Sequence, residues 1–452
     1  MLRGIGLTPW RGRCWIWRMT KFPSLKLRLA LAAYSVLWVA GLPFVLAYLW
    51  KRGRKDRDYS RHLAERFGLY RQSMRGAVWV HAVSLGEVRS AMPLIHGLLA
   101  QGERVVITHF TPAGRRETMR VLGDEITAGK VAAVWVPFEL SLCFAGFFRA
   151  FAPKYGLVME IEIWPRMIMA ARCWSVPLFM CNAQYPSKSV ARDGAMGLLA
   201  QIKRGFAGAL VKSDLQAQRF SAVGVRNIAV TGELRFDQEI PPAQIAAALA
   251  VRPDRPVVAI ASAVEGEDSG YISVIKALQS DAKAAGKPVP LVAYVPRAPE
   301  RFAEVARMLA ASGLTTGCRS LHFTPDLALR TPFSGLDVLL GDSLGEMYFY
   351  LSLADRVVVG GGFTPKGAHN IIEALALKKP VLLGPQTHTI EYPFTEAEAA
   401  GVARSVPDFD ALAQALIAPQ DPTPDQIEAF LRAHSGATQR TLAAIPQLLT
   451  NR

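Results

Sequence analysis

Carboxylates placed just after apolar runs are the residues of this sequence whose positions point to chemistry. Ser-Leu-Gly-Glu occurs twice, in "VHAVSLGEVRSAMPLI" from Val80 and in "VLLGDSLGEMYFYLSL" from Val338. Each copy follows a run that reads as a buried strand and precedes a pattern that reads as a helix. At such a junction S-x-x-E predicts a capping box, with serine and glutamate oxygens accepting from N–H groups at the helix start. A glutamate there can also serve as a base. The helix N-terminus favours its ionised form, and burial opposes that by raising its pKa. Glu160 and Glu162 alternate in the apolar segment "VMEIEIWP", which predicts two carboxylates on one side of a strand, with Arg166 and Arg235 as candidate ion-pair partners.

The second half carries "GGGFTPKGAHNIIEALALKKPVLLGP" from Gly360 to Pro385. Glycines at 360, 361, 362 and 367 permit close backbone approach, and a helix expected to begin near His369 or Asn370 would aim its N–H groups at an anion. The stretch has neither the G-K-[ST] ending of a Walker A loop nor the G-x-G-x-x-G spacing of dinucleotide binders. With Arg297 after a strand and the second S-L-G-E on the same sheet edge, it predicts a site for a phosphate-containing ligand.

These residues need a scaffold, and the spacing of apolar runs supplies one. "AVWVHA", "RVVITHF", "AAVWVP", "YGLVME", "VPLFMC", "GALVKS" and "NIAVTG" alternate with amphipathic stretches. After a Pro/Ala-rich break around 241–256 the rhythm restarts with "VVAIAS", "PLVAYV", "DVLLGD", "RVVVGG" and "PVLLGP". That is the βαβ pattern of parallel sheets, whose ligands bind beyond the carboxyl ends of the strands. The fold class is therefore α/β: two facing Rossmann-like domains, with residues 51–240 as the first and 241–452 as the second. A phosphate site on the second and a lone carboxylate base on the first describe a GT-B sugar transferase.

Residues 1–50 are expected to form a terminal segment and membrane anchor. The run Leu29–Trp50 holds 22 residues without a charge, and Lys51, Arg52, Arg54, Lys55 and Arg57 follow it. At 1.5 Å per residue it is just long enough to cross a hydrocarbon core, with lying in the interface as the other arrangement. Its basic end differs from a signal-peptide cleavage site. Of the net charge of +15, residues 1–75 carry +13 (16 Lys and Arg against Asp56, Asp58 and Glu65). The basic partner is thus an anionic membrane surface and no nucleic acid. The denser cluster after the helix places the large remainder on the cytoplasmic side, and Met19 is an alternative start. Cys14, Cys143, Cys173, Cys181 and Cys318 have no metal-like spacing and read as buried thiols; no metal site and no cofactor are expected.

Read in order, "RHLAERFG", "VHAVSLGEVRSAMPLI", "VMEIEIWP", "GELRFD", "VPRAPERF", "GDSLGEMYFYLSLAD" and "GGGFTPKGAHNIIEALALKKPVLLGP" resemble the 3-deoxy-D-manno-octulosonic acid (Kdo) transferases of lipopolysaccharide assembly, over roughly residues 28–420. The resemblance implies an inner-membrane GT-B enzyme that moves Kdo from CMP-Kdo to a lipid A precursor, inverting the anomeric centre without a metal. It implies Glu87 as general base and Glu160 and Arg235 as groups stabilising the transition state, with lysine usual in the family where Arg235 stands. It implies that Pro296, Arg297, Leu344, Gly345, Glu346, Asn370, Ile371, Ile372 and Glu373 hold CMP. The sequence departs from the family pattern at Ala263, Val264, Ala298, Gln184 and Ala368, which replace a threonine, two histidines, an arginine and a glycine. The alternatives are the same mechanism with another CMP-sugar or lipid-linked acceptor, and a non-catalytic relative that binds nucleotide or lipid.

Overall fold

The computed structural model describes residues 22–451, apart from the side chains of 194–196. Met19 and Cys14 lie outside the described residues. Among those described, Cys143 and Cys181 are buried thiols as expected, whereas Cys173 is exposed.

Seven parallel strands form the first sheet: β1 Val78–His81, β2 Val105–His109, β3 Val131–Trp135, β4 Gly156–Met159, β5 Leu178–Ala183, β6 Gly208–Val211 and β7 Ile228–Val230, in the order β3-β2-β1-β4-β5-β6-β7. Every residue of β1 to β6 is buried, which is why these strands read as continuous apolar runs rather than as alternation. The chain order reverses between β1 and β4, and in a doubly wound sheet that point opens the ligand crevice.

The second sheet is also wholly parallel and doubly wound, but its fourth strand sits between the third and the second: β8 Val257–Ala263, β9 Leu291–Pro296, β10 Thr316–Cys318, β11 Val338–Leu340, β12 Arg356–Val359, β13 Val381–Leu383 and β14 Ala403–Ser405, in the order β10-β11-β9-β8-β12-β13-β14. Its switch point lies between β8 and β12. The edge strands β10 (Thr-Gly-Cys) and β14 (Ala-Arg-Ser) went unforeseen, because three mixed residues at an edge leave no apolar run to read.

By contacts the chain divides into two units, one running to Tyr185 with Ser189–Gly232 and Thr438 onward, the other comprising Pro186–Lys188 and Glu233–Ala437. The last helix, Ala437–Thr450, thus belongs with the first sheet rather than with the second half of the chain. Arg440 Nε donates to the Thr231 carbonyl at 3.0 Å and Asn227 Nδ2 to the Leu448 carbonyl at 2.8 Å. Gly97 has no side chain to block Leu442, whose methyl lies 2.7 Å from where a Cβ would be.

A helix of 29 residues, Leu25–Gly53, precedes β1 and runs through Pro43. Among the described residues it is the helix long and apolar enough to cross a membrane, with mean hydropathy 2.0. One stripe of it packs on the first unit. Leu27 and Leu31 join that unit's core, and Trp38, Leu42, Val45, Leu46 and Leu49 gather around Phe138 and Cys143. Arg166, expected near Glu160 and Glu162, instead donates from Nη2 to the Leu31 carbonyl (2.6 Å) and from Nε to Ser35 Oγ (2.5 Å). Tyr34 donates its hydroxyl proton to Glu139 at 3.0 Å. On the other side Leu29, Val36 and Phe44 are exposed, Phe44 by 78%.

Candidate active site

Glu87 follows β1, at the switch point of the first sheet. Its helix, Leu85–Ala100, begins with the predicted capping box: Glu87 N–H donates to Ser84 Oγ (3.3 Å), and Glu87 Oε2 accepts from Val83 N–H (2.5 Å) and Ser84 N–H (3.3 Å). The residue is 8% exposed. Burial, then the Glu162 and Glu160 carboxylates, push its pKa up to about 8, against the two backbone donors. Of the two opposing effects read from the sequence, desolvation wins over the helix terminus.

Glu160 and Glu162 come from the other strand of the switch point, β4. They do not alternate along a strand as expected, because β4 ends at Met159. Glu160 adopts a left-handed backbone (φ 54°), unusual for a residue with a side chain, and its N–H donates to the Cys181 carbonyl at 2.8 Å. The turn brings both carboxylates within electrostatic reach of Glu87 all the same. Glu162 accepts from the Trp164 indole N–H at 2.6 Å, and burial followed by Glu160 raises its pKa in spite of that bond. Burial and two neighbouring carboxylates both disfavour the ionised form of Glu87, which is how a carboxyl is tuned for proton transfer.

The second copy of Ser-Leu-Gly-Glu folds differently. Its helix, Met347–Leu353, starts after Glu346, and Ser343 caps nothing; its hydroxyl donates to Glu346 instead. Glu346 pairs with buried Arg319 at 2.6 Å. Gly345 is left-handed (φ 82°), and its carbonyl accepts from Gln244 Nε2 at 2.8 Å. The capping-box expectation therefore fails for this copy: past the left-handed glycine the helix starts at Met347, three residues later relative to its serine than in the first copy, and Ser343 is no longer at the cap position. Leu344 is 71% exposed.

The glycine-rich turn after β12 departs from expectation in an informative way. Gly361 N–H donates to both oxygens of Glu267 (2.8 Å each), Phe363 N–H donates at 3.0 Å and Val264 N–H at 3.1 Å. Glu267 is fully buried after β8. The anion held by this turn is thus the chain's own carboxylate, at the switch point of the second sheet. Gly361 needs its glycine, since its φ is +91° and a Cβ would stand 2.3 Å from the Gly367 carbonyl oxygen. Glu267 carried no role in the sequence reading. The available signal was its place, a carboxylate in the strand-to-helix turn after the first strand of its sheet, like Glu87.

The helix expected from His369 or Asn370 begins at Ile372 and is five residues long, Ile372–Ala376. Asn370 Oδ1 accepts the Ile372 N–H at 3.0 Å, closing a side-chain turn just ahead of a helix whose N-cap is Ile371. Ile371 and Ile372 are buried, Ile371 within the second unit's core, so their side chains are committed to packing. Arg297 follows β9, whose last residue is Pro296, and its N–H donates to the Ala263 carbonyl at 2.9 Å. Arg297 is exposed, yet desolvation by the protein packed around it, helped by Arg235 and opposed by Glu373, lowers its pKa. Burial, then Arg297, pushes His369 down to about 4. Arg235, Arg297, His369 and Glu373 therefore form one polar group in the second unit, and Arg235 also stands 4.0 Å from buried Glu233. Two cations, one neutral imidazole and one carboxylate suit a ligand with a phosphate and polar ring groups. Among the described residues no group of three or more His, Cys, Asp or Glu is placed to hold a metal ion.

Two seven-stranded, doubly wound parallel sheets, each with a buried carboxylate at its switch point, define the GT-B fold. In fold the chain is similar to a glycosyltransferase from Rickettsia africae ESF-5 (TM-score 0.55, 12% identity, 85% of this chain and 100% of that one). It is equally similar to Anabaena Alr3699/HepE in complex with UDP-glucose (TM-score 0.55, 13% identity, 83% and 99%). The sequence narrows the class. The model of the 3-deoxy-D-manno-octulosonic-acid transferase (kdotransferase) family matches residues 61–238. The 3-deoxy-D-manno-octulosonic acid transferase of Bordetella pertussis is 38% identical over 423 residues, covering 90% of this chain and 96% of that protein. That of Haemophilus influenzae is 29% identical over 398 residues, covering 85% and 89%. The chain belongs to the 3-deoxy-D-manno-octulosonic acid transferase family, and its activity is that of a Kdo transferase.

Proposed function

We propose that the chain transfers Kdo from CMP-Kdo to a hydroxyl of a lipid A precursor with inversion at the anomeric carbon. The observation that carries the reading is Glu87, buried after β1 beside Glu160 and Glu162 with its pKa pushed up to about 8. Such a carboxylate is a far better base than an exposed one, and it takes the proton of the attacking acceptor hydroxyl. As the bond to CMP breaks, the anomeric carbon gains positive character and the phosphate gains negative charge. Glu160 suits the first charge. Arg297 and Arg235 suit the second, and the reaction as written calls on no metal.

In the second unit Pro296 and Arg297 hold the nucleotide together with Asn370 and Glu373. Ile371 and Ile372 offer backbone rather than side chains, and Leu344 and Gly345 shape the wall that Glu346 braces through Arg319. The apolar outer side of Leu25–Gly53 and the basic cluster Lys51–Arg57 support attachment to the inner membrane, with both units on its cytoplasmic side.

Purified protein incubated with CMP-Kdo and a lipid A precursor should release CMP and lengthen the lipid by Kdo, read by mass spectrometry of the product. Glu87→Ala should abolish this; robust transfer by that variant would sink the assignment of the base. The replaced family residues Val264, Ala298 and Gln184 favour one second reading, the same mechanism on another donor. A panel of CMP- and UDP-sugars in the same assay separates the two.

A further inference from the structure

A cavity of about 540 Å³ lies in the first unit between the Leu25–Gly53 helix and the ends of β2, β3 and β4. Trp38, Val45 and Leu49 of the helix line one side of it, and Phe110, Phe138 and Trp164 the other. Its size is that of a small-molecule site, and its lining is almost wholly apolar. Its two charged members are buried. Glu139 is occupied by Tyr34, Met167 and Arg166. Arg66 donates from Nη2 to the Phe110 carbonyl (3.1 Å) and stacks on Trp135, which leaves its Nε without a hydrogen-bond partner.

The walls of the cavity are continuous with the surroundings of Glu87. Trp164 lines it and gives its indole N–H to Glu162. Phe110 lies against Trp164 (ring centroids 5.8 Å apart), and its N–H donates to the Val83 carbonyl (3.3 Å), the residue whose own N–H holds Glu87. One loop thus presents carboxylates on one side and an apolar wall on the other, as an acceptor with a polar sugar and apolar tails requires. We propose that this cavity seats a fatty acyl chain of the lipid acceptor while its sugar hydroxyl lies at Glu87. The proposal rests on the reading that the acceptor is an acylated lipid.

The test fills the cavity from the helix with Val45→Phe, a position outside the carboxylate cluster. With a lipid A precursor bearing its full acyl chains, the acceptor KM should rise at least fivefold with kcat and the KM for CMP-Kdo unchanged. With the same precursor carrying acetyl groups in place of the chains, wild type and variant should match. An unchanged KM for the acylated acceptor, or an equal loss on both acceptors, overturns the proposal. A second arm reads occupancy without turnover: an acceptor with brominated chains should quench tryptophan fluorescence through Trp38 and Trp164, and Val45→Phe should weaken this severalfold. Equal quenching in both proteins overturns the proposal, as does full competition by phosphatidylethanolamine vesicles with the same chains, which would assign the cavity to bilayer lipid. Absence of turnover by wild type on any lipid, with quenching intact, would instead count against the proposed reaction.

Discussion

Glu87 Oε2 lies 2.5 Å from the Val83 nitrogen, so the carboxylate proposed as the base is also the cap of the helix it begins. The two roles separate on substitution. Glu87→Gln keeps an oxygen for the backbone donors and loses the base. Turnover should fall by roughly 10²- to 10⁴-fold, with the thermal unfolding midpoint nearly unchanged. Glu87→Ala should lose turnover and about 1 kcal/mol of stability as well. Parallel kinetics and thermal melts check both.

Because burial and two carboxylates raise Glu87 to about 8, the active ionised form dominates only in alkaline solution. The rate measured as kcat/KM should climb about tenfold per pH unit below that value and level off above it. Glu162→Gln removes the largest cause after burial and should move the midpoint to lower pH. A pH–rate profile of wild type and variant tests this, and an unmoved midpoint would assign the limb to another group. For stability the sign is opposite. The raised pKa favours the fold most below about 4.5, where Glu87 is protonated folded or unfolded, and that contribution is lost as pH rises through about 8.

Glu267 accepts three backbone N–H groups, from Val264, Gly361 and Phe363. Glu267→Ala leaves all three without an acceptor and should cost about 3 kcal/mol or more, at roughly 1–3 kcal/mol per unsatisfied buried group. Urea unfolding measures it. Glu267→Gln should recover part of the loss. If Glu267→Ala were as stable as wild type, the turn would be free to serve an external anion.

Arg297, exposed just past the end of β9, is a cation within electrostatic reach of His369 and Glu373 in the second unit's polar group. Arg297→Ala should weaken CMP binding roughly ten- to a hundredfold, the scale of one charge-assisted hydrogen bond. Arg297→Lys should fall between. His369, with its pKa pushed down to about 4, stays neutral, so CMP affinity should vary little with His369 protonation between pH 6 and 8. Calorimetric titration at two pH values reports both effects.

Among the described residues, twelve of the fourteen strands were legible as apolar runs, and for all of these except β7 burial along most of a parallel strand writes itself into consecutive residues. The exceptions, β10 and β14, are three-residue edges. The ordered motifs also named the residues at the strand ends, and a strand end is where such a fold holds ligands. What the sequence could not show was which partner each polar group takes. Two identical Ser-Leu-Gly-Glu quartets became a helix cap beside two carboxylates and an uncapped turn tied to Arg319. The glycine-rich turn met Glu267, and Arg166 met the carbonyl of Leu31. Local sequence determines backbone propensity and the burial pattern, whereas a hydrogen bond or a raised pKa depends on groups far apart in the chain. Those distances exist only once the sheets have formed.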